Sequence, residues 1–266
     1  MATSTEPDAT PAPGASSRAE TNAPVVSAAA INPLKLAWGA VATILGVIYT
    51  IILAPFAALS APLFNGHAVT HVGALWSWLI IKTCGIRVLM EGVENVRNTD
   101  PCIIVSNHQS FFDIFASLAY LPCEPRFIAK RELMKIPLVG YAMRRANHVI
   151  IDRKAGGQAI RRAREVAQLG YSIVIFPEGH RFSDGRVHEF TEGAAWIAIM
   201  TKLPCVPMTV SGSAAFFPPK AKLVVPGGTM RIVFGKPIET TNLKSSDRAA
   251  LTRQLEEAVR ANLRSS

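Results

Sequence analysis

Cysteine is sparse in this 266-residue chain. Cys84, Cys102, Cys123 and Cys205 lie far apart, and no two form C-x-x-C. That excludes a zinc knuckle and a disulfide framework, and leaves buried thiols in a reducing compartment as the expectation. No serine stands in G-x-S-x-G, so the nucleophile elbow of a serine hydrolase is missing. Charge is missing locally: from Leu36 to Ile81 there is no Asp, Glu, Lys or Arg. Carboxylates are few against bases, 19 against 28, giving a net charge of +9 and a pI near 9.7. Residues 1–33 carry Arg18 against Glu6, Asp8 and Glu20, so the charge is concentrated in the remainder. Aromatics are scarce where bases are dense. Between residues 126 and 164 stand eleven Lys or Arg, opposed by Glu132 and Asp152, with only Phe127 and Tyr141 among them. Nucleic-acid binding by stacked bases needs aromatics interleaved with the bases, so no nucleic-acid partner is expected. A basic body beside an uncharged apolar stretch suits an anionic membrane surface or an acidic substrate.

Residues 1–33 are rich in Ala, Thr, Ser and Pro without apolar periodicity, and a disordered tail is expected there. This start is long and leans acidic, which argues against a cleaved signal peptide. Residues 34–83 read as a membrane-associated helix pair. The run from Leu36 to Ala54 would reach about 28 Å as a helix, close to the hydrocarbon thickness of a bilayer. Pro55, Pro62 and Asn65-Gly66 are expected to break it. The second run, Ala68 to Thr83, is short for an upright span. Trp76 and Trp78 suit an interface, with Lys82 and Arg87 beyond. The pair is expected to enter or lie on one leaflet and return to the cytosolic side. His67 and His71 have a metal-type i, i+4 spacing, but the local sequence offers them no carboxylate, and no metal is expected.

From residue 84 to 240 the pattern changes. Val- and Ile-rich runs at 102–106, 126–129, 148–152, 172–176, 205–210, 222–225 and 230–234 read as strands. Helical stretches separate many of them, at 111–120, 131–145, 156–169 and 190–202. The alternation predicts an α/β fold, a largely buried sheet with flanking helices. Residues 241–266 read as a surface helix with Leu251, Leu255 and Val259 in a stripe and Ser245 or Ser246 as its cap.

The segment "SNHQSFFDIF" at 106–115 holds His108 and Asp113. On a regular helix residues five apart do not face each other. They meet if His108 ends a strand and Asp113 lies in the first turn of the next helix. Two readings compete. Ser110-x-x-Asp113 is a capping-box pattern, in which Asp113 accepts backbone N–H bonds. Alternatively, His108 is a general base whose tautomer is fixed by Asp113. If no side chain is attacked, such a base would act on a substrate hydroxyl. A second segment, "IVIFPEGHRFSDGR", leaves a strand through Pro177, Glu178 and Gly179 to Arg181, a good position for a phosphate clamp. Arg153 follows the strand "HVIID" directly, at the same expected edge.

Together these segments resemble the glycerolipid acyltransferases of the 1-acylglycerol-3-phosphate acyltransferase type. "NHQSFFD" is similar to their H-x4-D motif, "VIIDR" to their second motif, "FPEGHRF" to their third, and "CVPMTVSG" to their fourth, in the same order. The resemblance spans roughly residues 34–240. It implies His108 as general base and Asp113 as its orienting partner. It implies Arg153 and Arg181 as phosphate ligands, Glu178 and Gly179 as shaping that pocket, and Pro207 as lining the acyl side. It also implies attack on acyl-CoA or acyl-carrier protein at the cytoplasmic face of a membrane, giving phosphatidic acid, with no cofactor beyond that co-substrate and no metal. His180 and Phe182 depart from the family's usual Thr and Ser. That opens the alternative of another acceptor, such as a lyso-ornithine lipid, which carries no phosphate.

Overall fold

A computed structural model of the chain describes residues 32–61, 66–135, 139–151, 156–218 and 221–264. The expected tail lies outside them up to residue 31, and so does Arg153. Seven strands form one sheet: β1 (Ile86–Glu91), β2 (Ile103–Ser106), β3 (Pro125–Lys130), β4 (Val149–Ile151), β5 (Ser172–Ile175), β6 (Cys205–Ser211) and β7 (Gly228–Phe234). Their order is β1-β7-β6-β2-β5-β3-β4. Neighbours are parallel except β6 and β7.

The central strands β2, β5 and β6 are buried at every residue, because both faces of the sheet are covered. Alternate side chains go to opposite cores. Ile103, Val105, Ile173 and Ile175 pack with α6 (Gly156–Gln168), α7 (Gly193–Thr201) and α8 (Arg248–Ala261). Ile104, Val174, Val206 and Met208 pack with α2 (His67–Thr83) and α4 (Phe111–Tyr120). The fold is thus a sheet between two helical layers, and the carboxyl ends of β2 and β5 open on one edge.

Several expectations change. β1 was not expected; its mixed sequence IRVLME suits an edge strand with a half-exposed face. Residues 222–225 do not form a strand, because tertiary partners take their backbone groups: Val224 N–H donates to Thr43 Oγ1 at 3.1 Å and Val225 N–H to the Phe216 carbonyl at 2.8 Å. The stretch 131–145 divides into a 3-10 turn at Arg131–Lys135 and α5 (Val139–Arg145). At the carboxyl end, Ser245–Asp247 is a 3-10 turn and Asp247 occupies the N-cap of α8, so neither serine caps it.

The first helix, α1 (Pro33–Ser60), runs through Pro55. Proline there removes one helical hydrogen bond, but Ala57 and Ala61 beyond it are buried with Val69 of α2 and Ala146, and that packing holds the last turn. α1 is long and apolar enough to cross a bilayer. Trp38, Val41, Ile44, Val47, Ile51 and Phe56 are exposed along it. At roughly 25 cal/mol per Å² of apolar surface, such a face is costly in water and suits lipid. α2 does have a carboxylate: Glu124, 57 residues on, brings Oε1 within 2.8 Å of His67 Nδ1. Tyr171 Oη lies 3.0 Å from His67 Nε2, and Arg126, fully buried, donates to Thr70 Oγ1 and to Glu124. This network ties the start of α2 to the sheet.

Candidate active site

β2 ends at Ser106, and the next four residues turn into α4. Asn107 carries the β2–β6 pairing one step further with its side chain. Its Oδ1 accepts from Val210 N–H at 2.8 Å, and its Nδ2 donates to the Val210 carbonyl at 2.9 Å. His108 follows at the carboxyl end of the strand, where open α/β sheets place their chemistry. Asp113, fully buried, resolves the two competing readings by serving both. Its Oδ2 accepts from Gln109 N–H at 2.7 Å and from Ser110 N–H at 2.8 Å, as a helix cap. The same oxygen lies 2.9 Å from His108 Nδ1. A carboxylate can only accept, so Nδ1 carries the proton and Nε2 keeps its lone pair. The imidazole stacks on Phe176, with centroids 4.2 Å apart, and its side chain is 13% exposed. One nitrogen is therefore fixed, the ring plane is fixed, and the basic nitrogen remains for a ligand.

The loop after β5 closes against this one. Phe182 N–H donates to the His108 carbonyl at 3.0 Å, and Ser183 Oγ donates to that of Gln109 at 3.0 Å. Gly179 makes the turn at φ +71°, where a side chain would be strained. Arg181 lays its guanidinium 3.5 Å from the Phe111 ring centroid, at the start of α4. That stacking presents an exposed cation beside the His108–Asp113 pair. His180 is exposed on the same loop. Phe182 stacks on His188 at 3.7 Å, and His188 Nε2 lies 2.9 Å from Asp184 Oδ2. Phe182 thus has a packing partner that a serine would lack.

Glu178 is buried, and its carboxylate turns to the backbone. Oε2 accepts from His108 N–H at 3.4 Å and Oε1 from His188 N–H at 3.3 Å, so it bridges the two loops. Burial pushes its pKa up to about 7, against those two N–H bonds, with Asp113 and Asp184 adding repulsion. Between its ordinary value of 4.5 and about 7, the folded protein holds a proton that the unfolded chain has released. This contribution to stability is therefore full below the lower value and is lost as pH rises through the upper one. In Glu178→Gln the slope should vanish. Urea midpoints measured from pH 5 to pH 8 are expected to fall for wild type relative to the variant; parallel curves would contradict the assignment.

Of the sequence-derived site residues, the structure brings His108, Asp113, Glu178, Gly179, His180 and Arg181 to one edge. Pro207 lies beside β2, near that strand's carboxyl end. It is buried in β6 opposite Val105, with its carbonyl accepting from Gly235 N–H at 2.8 Å, inside the sheet. Phe176, Phe111 and Asn107 were missed: a ring stack and a side-chain strand bridge leave no spacing signal in a single sequence. Burial raises the thiols of Cys84 to about 11 and of Cys102 and Cys123 to about 12, so none of these supplies a thiolate.

α1, α2, α4 and α5 flank a half-open apolar cavity of about 190 Å³, lined by Leu53, Ala54, Val69, Trp76, Leu118 and His148 among others.

Residues 87–211 match the family model described as Acyltransferase. The chain is 37% identical over 153 residues to a 1-acyl-sn-glycerol-3-phosphate acyltransferase of Brassica napus, covering 56% of this chain and 44% of that protein. It is 33% identical over 196 residues to one of Arabidopsis thaliana, covering 72% and 54%. It is 35% identical over 173 residues to the alpha form of Mus musculus, covering 63% and 60%. The chain thus spans about half the length of these relatives. The crystal structure of the 1-acyl-sn-glycerophosphate acyltransferase PlsC of Thermotoga maritima superposes with a TM-score of 0.72 at 25% identity, covering 86% of this chain and 96% of that one.

Proposed function

Because this chain carries an acyltransferase-family domain, residues 87–211, we propose that it moves an acyl group from an acyl thioester to the free hydroxyl of lysophosphatidic acid, giving phosphatidic acid. The observation that carries this reading is the His108 imidazole, held by Asp113 at Nδ1 and free at Nε2, beside the Arg181 cation. His108 Nε2 takes the hydroxyl proton as the oxygen attacks the thioester carbonyl carbon. Asp113 steadies the imidazolium so formed. The tetrahedral intermediate collapses, the C–S bond breaks, and the imidazolium returns its proton to the departing sulfur. No enzyme acyl intermediate is needed, and among the described residues the buried thiols of Cys84, Cys102 and Cys123 supply no thiolate.

Arg181 binds the acceptor phosphate, and His180 adds a second donor where the family usually has Thr. Glu178 holds the two loops together and does not itself reach the acceptor. The apolar cavity receives an acyl chain, and α1 with α2 seats the domain on a membrane at the cytoplasmic face. Coenzyme A and acyl-carrier protein both present the thioester this chemistry uses.

His180 also supports a second reading, in which the acceptor is a phosphate-free lysolipid such as a lyso-ornithine lipid. A mass-spectrometric screen separates the two. Purified protein in detergent receives acyl-CoA, or acyl-carrier protein as donor, with a panel of lysolipids. Phosphatidic acid is the expected product, and Arg181→Ala is expected to raise KM for lysophosphatidic acid about 10- to 100-fold, the loss of one charged phosphate contact. Product only from a phosphate-free acceptor, indifferent to Arg181→Ala, would select the second reading. No product from any pairing would end both.

A further inference from the structure

The apolar cavity contains one polar group whose hydrogen bonding is incomplete. Two of its polar lining residues are satisfied within the fold. Thr50 Oγ1 donates to the Gly46 carbonyl and accepts from Trp76 Nε1 at 3.0 Å. Thr70 Oγ1 donates to the Gly66 carbonyl and accepts from Arg126 Nη1 at 2.9 Å. His148 differs. It stands between α5 and β4, and its Nδ1 faces Phe127 N–H of β3 at 2.9 Å. A backbone N–H can only donate, so Nδ1 must be the unprotonated nitrogen and the ring proton sits on Nε2. Burial and the nearby Arg126 charge push the pKa down to about 3, so the ring is neutral at any working pH. The Nε2–H finds no acceptor among the described residues, yet His148 lines the cavity.

A plain alkyl chain filling this space would leave that donor unpaired, at a cost comparable with a lost hydrogen bond. We propose that the cavity selects an acyl chain carrying an oxygen along its length, a hydroxyl or keto group, which accepts from His148 Nε2–H. This rests on the acyltransferase reading for how a chain comes to enter. The rings between His108 and His148 set an upper limit on how far from the carbonyl the oxygen lies. Phe176 lies 4.2 Å from His108, Phe127 6.5 Å from Phe176, and His148 5.8 Å from Phe127. The oxygen therefore lies within the length of a long acyl chain, and moving it stepwise locates it. The chain is either the donor's acyl group or the one already on the lysolipid; both present the same chemistry to His148.

Binding tests this separately from catalysis. The full chain bearing His108→Ala, which should not consume substrate, is titrated in detergent with non-hydrolysable thioether analogues of stearoyl-CoA. The series includes the plain chain, a cis-unsaturated chain, and hydroxystearoyl chains with the hydroxyl moved stepwise. A parallel arm uses lysophosphatidic acids bearing the same chains. At one hydroxyl position the affinity is expected to exceed that of the plain chain about tenfold. Preference in the first arm assigns the donor chain, and in the second the acceptor's own chain. His148→Leu should erase the preference. His148→Gln should keep part of it, because its amide can accept from Phe127 N–H and donate to the chain. Equal or better binding of plain chains at every position in both arms would overturn the proposal, and this comparison needs no change at His148. A preference that survives intact in a folded His148→Leu protein would overturn it equally.

Discussion

Replacing His108 with alanine is expected to lower kcat by about 10²- to 10⁴-fold, the scale on which a positioned general base contributes. His108 holds the lone pair of Nε2 at a fixed angle. Asp113 fixes Nδ1 and Phe176 fixes the ring plane, so rotation cannot bring another nitrogen into its place. The neighbours do not substitute: Glu178 spends both oxygens on backbone N–H groups, and Arg181 has no lone pair to offer. The cost to the fold is small by comparison. The variant loses one ring stack and one hydrogen bond, together about 1–3 kcal/mol, while Asp113 keeps its two backbone donors. Circular dichroism and urea denaturation should therefore show a folded protein, and acyl transfer followed by mass spectrometry should show almost none. Activity above about a tenth of wild type in a folded His108→Ala protein would remove the base from the mechanism.

Asp113→Asn is expected to be nearly as damaging to kcat, about 10²- to 10⁴-fold, and more damaging to stability. One oxygen, Oδ2, meets three donors: His108 Nδ1–H, Gln109 N–H and Ser110 N–H. An asparagine oxygen turned to the same place is neutral and holds all three less strongly. An amide nitrogen turned there would face three donors with a fourth. Either way the imidazolium loses the negative charge that stabilises it during proton transfer. Weakening the helix cap costs about 0.5–2 kcal/mol, which a denaturation series would read. KM for the lysolipid should hold within a few-fold, because Asp113 is buried and touches no substrate. That split distinguishes an orienting carboxylate from a cap alone. A variant that loses stability while keeping kcat would show that Asp113 serves the fold and nothing else.

The two variants probe the part of the site that was most legible in the sequence. Positions 106–115 read as strand, loop and capped helix, and the structure returns β2, a turn at 107–110 and α4 at 111–120. Local order of this kind follows from nearest-neighbour chemistry. A β-branched run favours extension, a Ser cap starts a helix, and a carboxylate at the third helical position reaches back. The same local logic located Glu178, Gly179 and Arg181 on one loop. It could not show which groups Glu178 bonds, because a carboxylate's partners are set by burial and by the loops that arrive beside it.

The sequence alone determined the α/β alternation, the apolar α1, the His108–Asp113 pair and the excess of basic charge. Each is written in spacing over a few residues or in composition. Tertiary structure decided the rest. It placed β1 at one edge and turned β7 antiparallel to β6, and it carried α1 past Pro55 by burying Ala57 and Ala61. It brought Glu124 to His67 across 57 residues, laid Arg181 on Phe111, and set His148, bonded to the Phe127 N–H, among the residues lining an apolar cavity. These depend on contacts between segments distant in the chain, and such contacts are fixed by which surfaces bury together, a property that no single stretch of residues carries.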